Sequence, residues 1–218
     1  AGLMRRATDT VPGLDLAQPT GTIWRGAGQL IVDRQLIGNL AWVFQPLSIL
    51  RLAPGYDVEL KGDALRLAGV VNASMSGTQL SLAGRIEADL FNRYLNAYDL
   101  TIAGELSISA LSAVVADGRI TRLEGEARWS GGEVRYVLSG RLGASELPPL
   151  VAYVATEEFP TADIFPEGGQ TPLLHVQILD TGFVKIGVTK SLTKMLNNPW
   201  PGGDPDHAVV LEVEQKIF

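Results

Sequence analysis

The chain has 218 residues, 46% of them hydrophobic and only 19% charged, which excludes a disordered polypeptide and leaves enough apolar surface for a sizeable core. Its formal net charge of -6, with Arg5-Arg6 as the densest basic pair, argues against a nucleic-acid binder, which needs a basic patch to neutralise phosphates. Cysteine is absent, so disulfides, thiolate metal sites and thiol nucleophiles are excluded together.

Residues 1–19 read as an N-terminal tail or short helix, with neither a signal-peptide pattern nor an apolar run long enough to span a bilayer. From Gly21 to Gln45 the sequence suits two strands carrying large aromatics, and Pro46 to Leu50 suits a short turn opened by proline at its first position. Strands follow at Tyr56 to Gly62 and Leu65 to Ala73, with Leu80 and Leu82 continuing the alternation. Ala88 to Leu95 places Leu90, Phe91, Tyr94 and Leu95 on one stripe, as a two-turn helix would.

Leu100, Ile102, Leu106 and Ile108 share a face with Gly104, while Thr101, Glu105 and Ser107 point the other way, as in one half-buried strand. Leu123, Gly125, Ala127 and Trp129, then Val134, Tyr136 and Leu138, alternate on either side of Ser130-Gly131-Gly132 and predict a β-hairpin. Glu146 to Pro172 breaks the rhythm with Pro148-Pro149, Pro160, Pro166 and Pro172, and is expected to be a Pro-rich connection over the body. A second hairpin is expected from Leu174–Ile178 and Val184–Val188 around Asp180-Thr181-Gly182. Ser191 to Leu196 suits a short helix with Ser191 as N-cap. The loop Asn197 to Asp206 holds Trp200, either tucked under as a plug or exposed as a loop contact. Val209, Leu211 and Val213 alternate with Glu212 and Glu214 in a last strand, whose unprotected edge would invite β-augmentation.

Many short strands separated by closely spaced turns define an all-β, mainly antiparallel fold: a strongly curved sheet, a two-sheet sandwich or an open barrel, with a few short helices. Glycines inside the strands, among them Gly69, Gly84, Gly104, Gly125 and Gly140, suit curvature or bulges. No domain boundary is evident, so residues 1–218 are taken as a single β-rich domain.

Chemistry is sparse. The only histidines are His175, on the polar side of a strand, and His207, in a turn beside Asp206. The elbow G-x-S-x-G and the zinc motif H-E-x-x-H are both absent. Glu157-Glu158 in a Pro-rich stretch reads as a solvated pair, and Asp204-x-Asp206 lacks the further oxygen ligands of a calcium loop. The chain is therefore read as no enzyme, with no catalytic residue, no metal and no cofactor.

The segment Gly21 to Leu52, GTIWRGAGQLIVDRQLIGNLAWVFQPLSILRL, carries more. Gly21-Thr22-Ile23-Trp24-Arg25-Gly26 is followed by Leu40-Ala41-Trp42-Val43-Phe44-Gln45-Pro46 and then by Leu47 and Leu50. That arrangement resembles protein N of the bacterial type II secretion system, the GspN family. The resemblance implies a periplasmic domain, tethered to the inner membrane by an N-terminal helix absent from this chain, and accessory to the export of folded proteins across the outer membrane. It implies secretion-machinery proteins as partners and carries no catalytic residues. The signature residues Gly21, Thr22, Trp24, Gly26, Trp42, Phe44, Pro46 and Leu50 are then core packing or partner contacts. A second class of function stays open, a periplasmic lipid-binding or lipid-transfer domain whose curved sheet shelters acyl chains in an apolar inner groove.

Overall fold

The computed structural model describes residues 14–51, 53–74, 77–116, 119–138, 140–179 and 181–216. Period-two alternation is realised as one open antiparallel sheet of 13 strands. Six strands run consecutively: β1 (Leu14–Gly21), β2 (Arg25–Val32), β3 (Gln35–Gln45), β4 (Gly55–Lys61), β5 (Leu65–Ser74) and β6 (Gly77–Glu87). Helix α1 (Ala88–Leu95) and β7 (Leu100–Ile102) then leave the sheet, and β8 (Glu105–Ala116) and β9 (Arg119–Trp129) return to it. Strands β10 (Gly132–Leu138) and β11 (Arg141–Leu147) join β7 in a separate three-stranded sheet. The large sheet resumes with β12 (Leu150–Thr156), β13 (Pro160–Pro166), β14 (Leu174–Ile178) and β15 (Phe183–Thr189), and after α2 (Lys190–Met195) it ends with β16 (Val209–Lys216). The outer strands β1 and β16 do not pair, so the sheet is not closed.

Register makes one face of this sheet continuous. A single cross-strand row runs Gly21, Gly26, Trp42, Val58, Gly69, Leu82, Leu111, Gly125, Val154, Ala162, Val176, Ile186 and Val213. No member is polar, because each strand was built with its apolar residues two apart and paired in phase. A neighbouring row passes through Leu40, Leu60, Leu67, Gly84, Ile108, Ala127, Ala152, Ile164, Leu174, Val188 and Leu211. In these two rows Trp42 is the only buried side chain larger than hydrogen, and the rest are half-buried or exposed. The opposite face alternates with it and is wet, for instance Asp57, Glu59 and Lys61 of β4.

Close packing is concentrated where the small sheet and α2 lie over one margin of the large one. There Val134, Leu147, Leu173 and Leu192 form a buried cluster, flanked by Trp129, Leu150, Leu174 and Val188. The sheet bends through β-bulges beside Leu82/Gly84 and Ile108/Ala110. A Cβ at Gly84 or Gly125 would stand 2.1 or 2.2 Å from a backbone carbonyl of the next strand, so only glycine fits these bends.

Several expectations are corrected. Leu123–Trp129 and Val134–Leu138 do not form a hairpin: β9 pairs with β8 and β12, β10 with β7 and β11, and Gly131-Gly132 carries the chain from one sheet to the other. Leu100–Ile108 is not one strand, because Gly104 at φ +90° separates β7 from β8. Glu146–Pro172 is not a connection alone, since it holds β12 and β13. Pro160 and Pro166 are the terminal residues of β13, where a missing N–H costs least. Of residues 1–19, those before Leu14 lie outside the described residues, and Leu14 onward is strand, neither tail nor helix. Helix α2 starts one residue before the expected one, and Thr189, not Ser191, holds the N-cap position without a side-chain capping bond, its hydroxyl donating to the Pro172 and Leu173 carbonyls.

Candidate functional site

The signature residues meet at one corner of the large sheet. Gly21 ends β1 at φ +85°, and the tight turn it opens is held by Thr22. The Thr22 amide donates to the Arg25 carbonyl at 2.8 Å, and its Oγ1 accepts the amides of Trp24 and Arg25, each at 3.2 Å. Trp42 is 4% exposed, and its Nε1 donates to the Thr22 carbonyl at 3.1 Å. Its ring covers Gly26, where a Cβ would stand 2.3 Å from Cζ2. Gly21, Thr22, Gly26 and Trp42 are therefore one hydrogen-bonded, close-packed unit.

That unit displays other residues. The Phe44 amide donates to the Trp24 carbonyl at 2.7 Å, and the Trp24 ring meets the Phe44 ring edge-on at 4.7 Å. Phe44 in turn packs on Tyr56 at 5.3 Å, so three aromatics stand in a row at the end of the apolar face. Trp24 remains 54% exposed. Pro46 opens a 3-10 turn over Pro46–Arg51, and the buried Ser48 fixes it by donating to the Gln45 carbonyl and accepting the Gly55 amide at 2.8 Å. The turn presents Leu47, 77% exposed, and borders a depression of about 650 Å³ shared with Phe44, Gln45, Asp57 and Asn72. Pro46 is exposed, and the side chain of Leu50 lies outside the described residues.

Sequence reasoning missed Tyr56 and Ser48. Tyr56 reaches the row only through the β3–β4 register, and Ser48 acts only once its turn is folded. Neither carries a motif of its own.

Trp200 lies apart from this corner and is no plug, being 42% exposed. Its amide donates to Thr193 Oγ1 of α2, and its loop is drawn onto the same helix by lysines. The buried Lys190 ammonium donates to the carbonyls of Gly202 and Asp204, and Lys194 pairs with Asp206 at 2.5 Å. The Lys194 hydrogen bond holds the Asp206 carboxyl below its ordinary value. His175 bonds Asp163 on the neighbouring strand at 2.5 Å, with no nucleophile in the pair. Glu157 and Glu158 are both exposed. Among the described residues no group of three His, Cys, Asp or Glu side chains could hold a metal, and no helix is long and apolar enough to cross a membrane.

Of three comparisons with known proteins, one finds a match. The family model of type II secretion system (T2SS) protein N matches residues 12–170, from the signature corner through β13. No curated protein and no solved structure shows a match to the chain. With most of its length matched, the chain belongs to the type II secretion system protein N family.

Proposed function

We propose that the chain is a non-enzymatic accessory component of the type II secretion system, acting as a periplasmic scaffold or adaptor. Residues 1–218 work as a single β-rich domain, tethered to the inner membrane by an N-terminal helix that precedes them in the full protein. Other secretion-machinery proteins dock on the signature corner, and no cofactor takes part. One observation carries this reading: Trp24 and Leu47 stand 54% and 77% exposed on a corner in which Thr22, Gly26 and Trp42 are locked together. Large apolar side chains pinned into solvent on a rigid support are how contact surfaces are built.

The test is complementation of a strain lacking this gene. Trp24→Ala with Leu47→Ser should lower export of a secreted enzyme while the domain stays folded and present at normal levels. Full export with both replaced would remove the corner from the account.

A second reading is supported by the half-exposed apolar rows, which cross the whole sheet with no second layer over most of their length among the described residues. In that reading the domain is a lipid carrier and the face shelters acyl chains. Native mass spectrometry of the purified domain separates the two, because retained phospholipid supports the carrier and a clean protein mass counts against it.

A further inference from the structure

The two edges of the open sheet are built differently. Strand β1 is blunted: Pro19 has no amide to donate, Gln18 sits at φ +47°, and the register slips between Ala17 and Thr20. Strand β16 has no residue at positive φ. It runs eight residues without proline, and all of them except Val210 are exposed. Its one register shift, at Val188/Thr189, lies where the strand begins.

The side chains of β16 specify what could extend it. On the apolar face, the two long rows of the sheet end at Leu211 and Val213, each 45% exposed with no further paired strand among the described residues. On the other face stand Glu212 and Glu214, followed by Lys216. Lys185 of β15 lies directly opposite Glu214, but its ammonium is taken by Glu212 at 2.9 Å. Glu214 is left with no cationic partner among the described residues.

A second copy of the chain is a poor occupant. Antiparallel self-pairing centred on Glu212 or Val213 overlaps most of the strand but puts Glu212 opposite Glu212 or Glu214, and like charges directly opposite repel. Pairing with β1 of another copy meets the Pro19 bulge and adds Asp15 to the acidic side.

We infer that β16 is a docking edge for an extended partner segment in which apolar residues alternate with lysine or arginine, the basic side chains facing Glu212 and Glu214 and the apolar ones continuing the rows of Leu211 and Val213. Backbone hydrogen bonds supply the affinity, and the side-chain alternation supplies the choice of partner. The inference does not depend on the adaptor reading, because the lipid reading uses the apolar face and leaves this edge free.

The probes are a short capped peptide alternating lysine with valine and a control alternating glutamate with valine. Each is titrated against the whole chain while backbone amide exchange is followed residue by residue. The basic peptide should bind in preference and slow exchange along Val209–Lys216. Glu214→Lys, at an exposed site with no ion pair to lose, should weaken it about fivefold, one cross-strand attraction having become a repulsion, and should strengthen the acidic control. Equal binding of both peptides, protection confined to the apolar face, no binding, or concentration-dependent protection of β16 by the chain alone would each overturn the assignment.

Discussion

Trp42 lies against Gly26 so closely that a single methyl group between them would stand 2.3 Å from the indole Cζ2. The two residues are direct partners across β2 and β3, and Trp42 also reaches the Thr22 carbonyl. Gly26→Ala must therefore push the ring out or shift a strand, and overpacking of this kind costs about 1–3 kcal/mol. Urea unfolding should show that loss. Trp24→Ala, two residues away but facing solvent, should cost less than about 1.5 kcal/mol, the range of an aromatic pair contact.

Thr22 offers a second check on the same corner. Its Oγ1 accepts two amides that have no other acceptor in the turn. Thr22→Val keeps the shape and removes the acceptor, which should cost about 1–2 kcal/mol. Thr22→Ser, which restores the hydroxyl, should recover most of it.

How far the sequence foretold this arrangement depends on the distance between partners. The strands of β4 to β6, the helix Ala88–Leu95 and the Leu174–Val188 hairpin follow from alternation and turn residues that lie side by side in the chain. The β9–β10 hairpin fails because Gly131-Gly132 permits a reversal and a change of sheet equally, and only long-range pairing of β9 with β12 decides between them. Prolines hid β13, since a proline at a strand terminus looks the same in sequence as one in a loop. In the corner, the glycine and tryptophan spacing was visible, but which aromatics are buried and which are shown to solvent was not. Trp42 and Trp24 share a face, but Trp42 lies within the β2–β3 ladder over Gly26, whereas Trp24 stands in the turn before its first pair.

The apolar rows differ from a packed core in a way that stability measurements detect. Leu173, with 0% exposure, lies in the buried cluster, and truncation to alanine should cost about 2–5 kcal/mol. Leu111, in the middle of the open face, is only half-buried and leaves no enclosed cavity when shortened. Leu111→Ala should cost less than about 1.5 kcal/mol, and a cost equal to that of Leu173→Ala would mean that a second layer covers the face.

The Trp200 loop should respond to acid. Lys194 holds the Asp206 carboxyl below its ordinary 3.8, so the folded state favours the charged form. The stability this pair contributes is present above that pH and is lost as the pH falls through the lower folded value. The Trp200 indole NMR signal should stay constant from neutral pH down to the ordinary carboxylate range and move below it. Asp206→Asn should show the moved signal already at neutral pH.

The most direct measurement replaces Leu47 with a photo-crosslinking residue, in cells that carry an intact type II secretion system and are secreting. Leu142, 80% exposed on the small sheet, serves as the control position. The account predicts covalent adducts with other secretion-machinery proteins from position 47 and none of them from position 142. The same adducts from both positions, or lipid adducts alone from position 47, would contradict it.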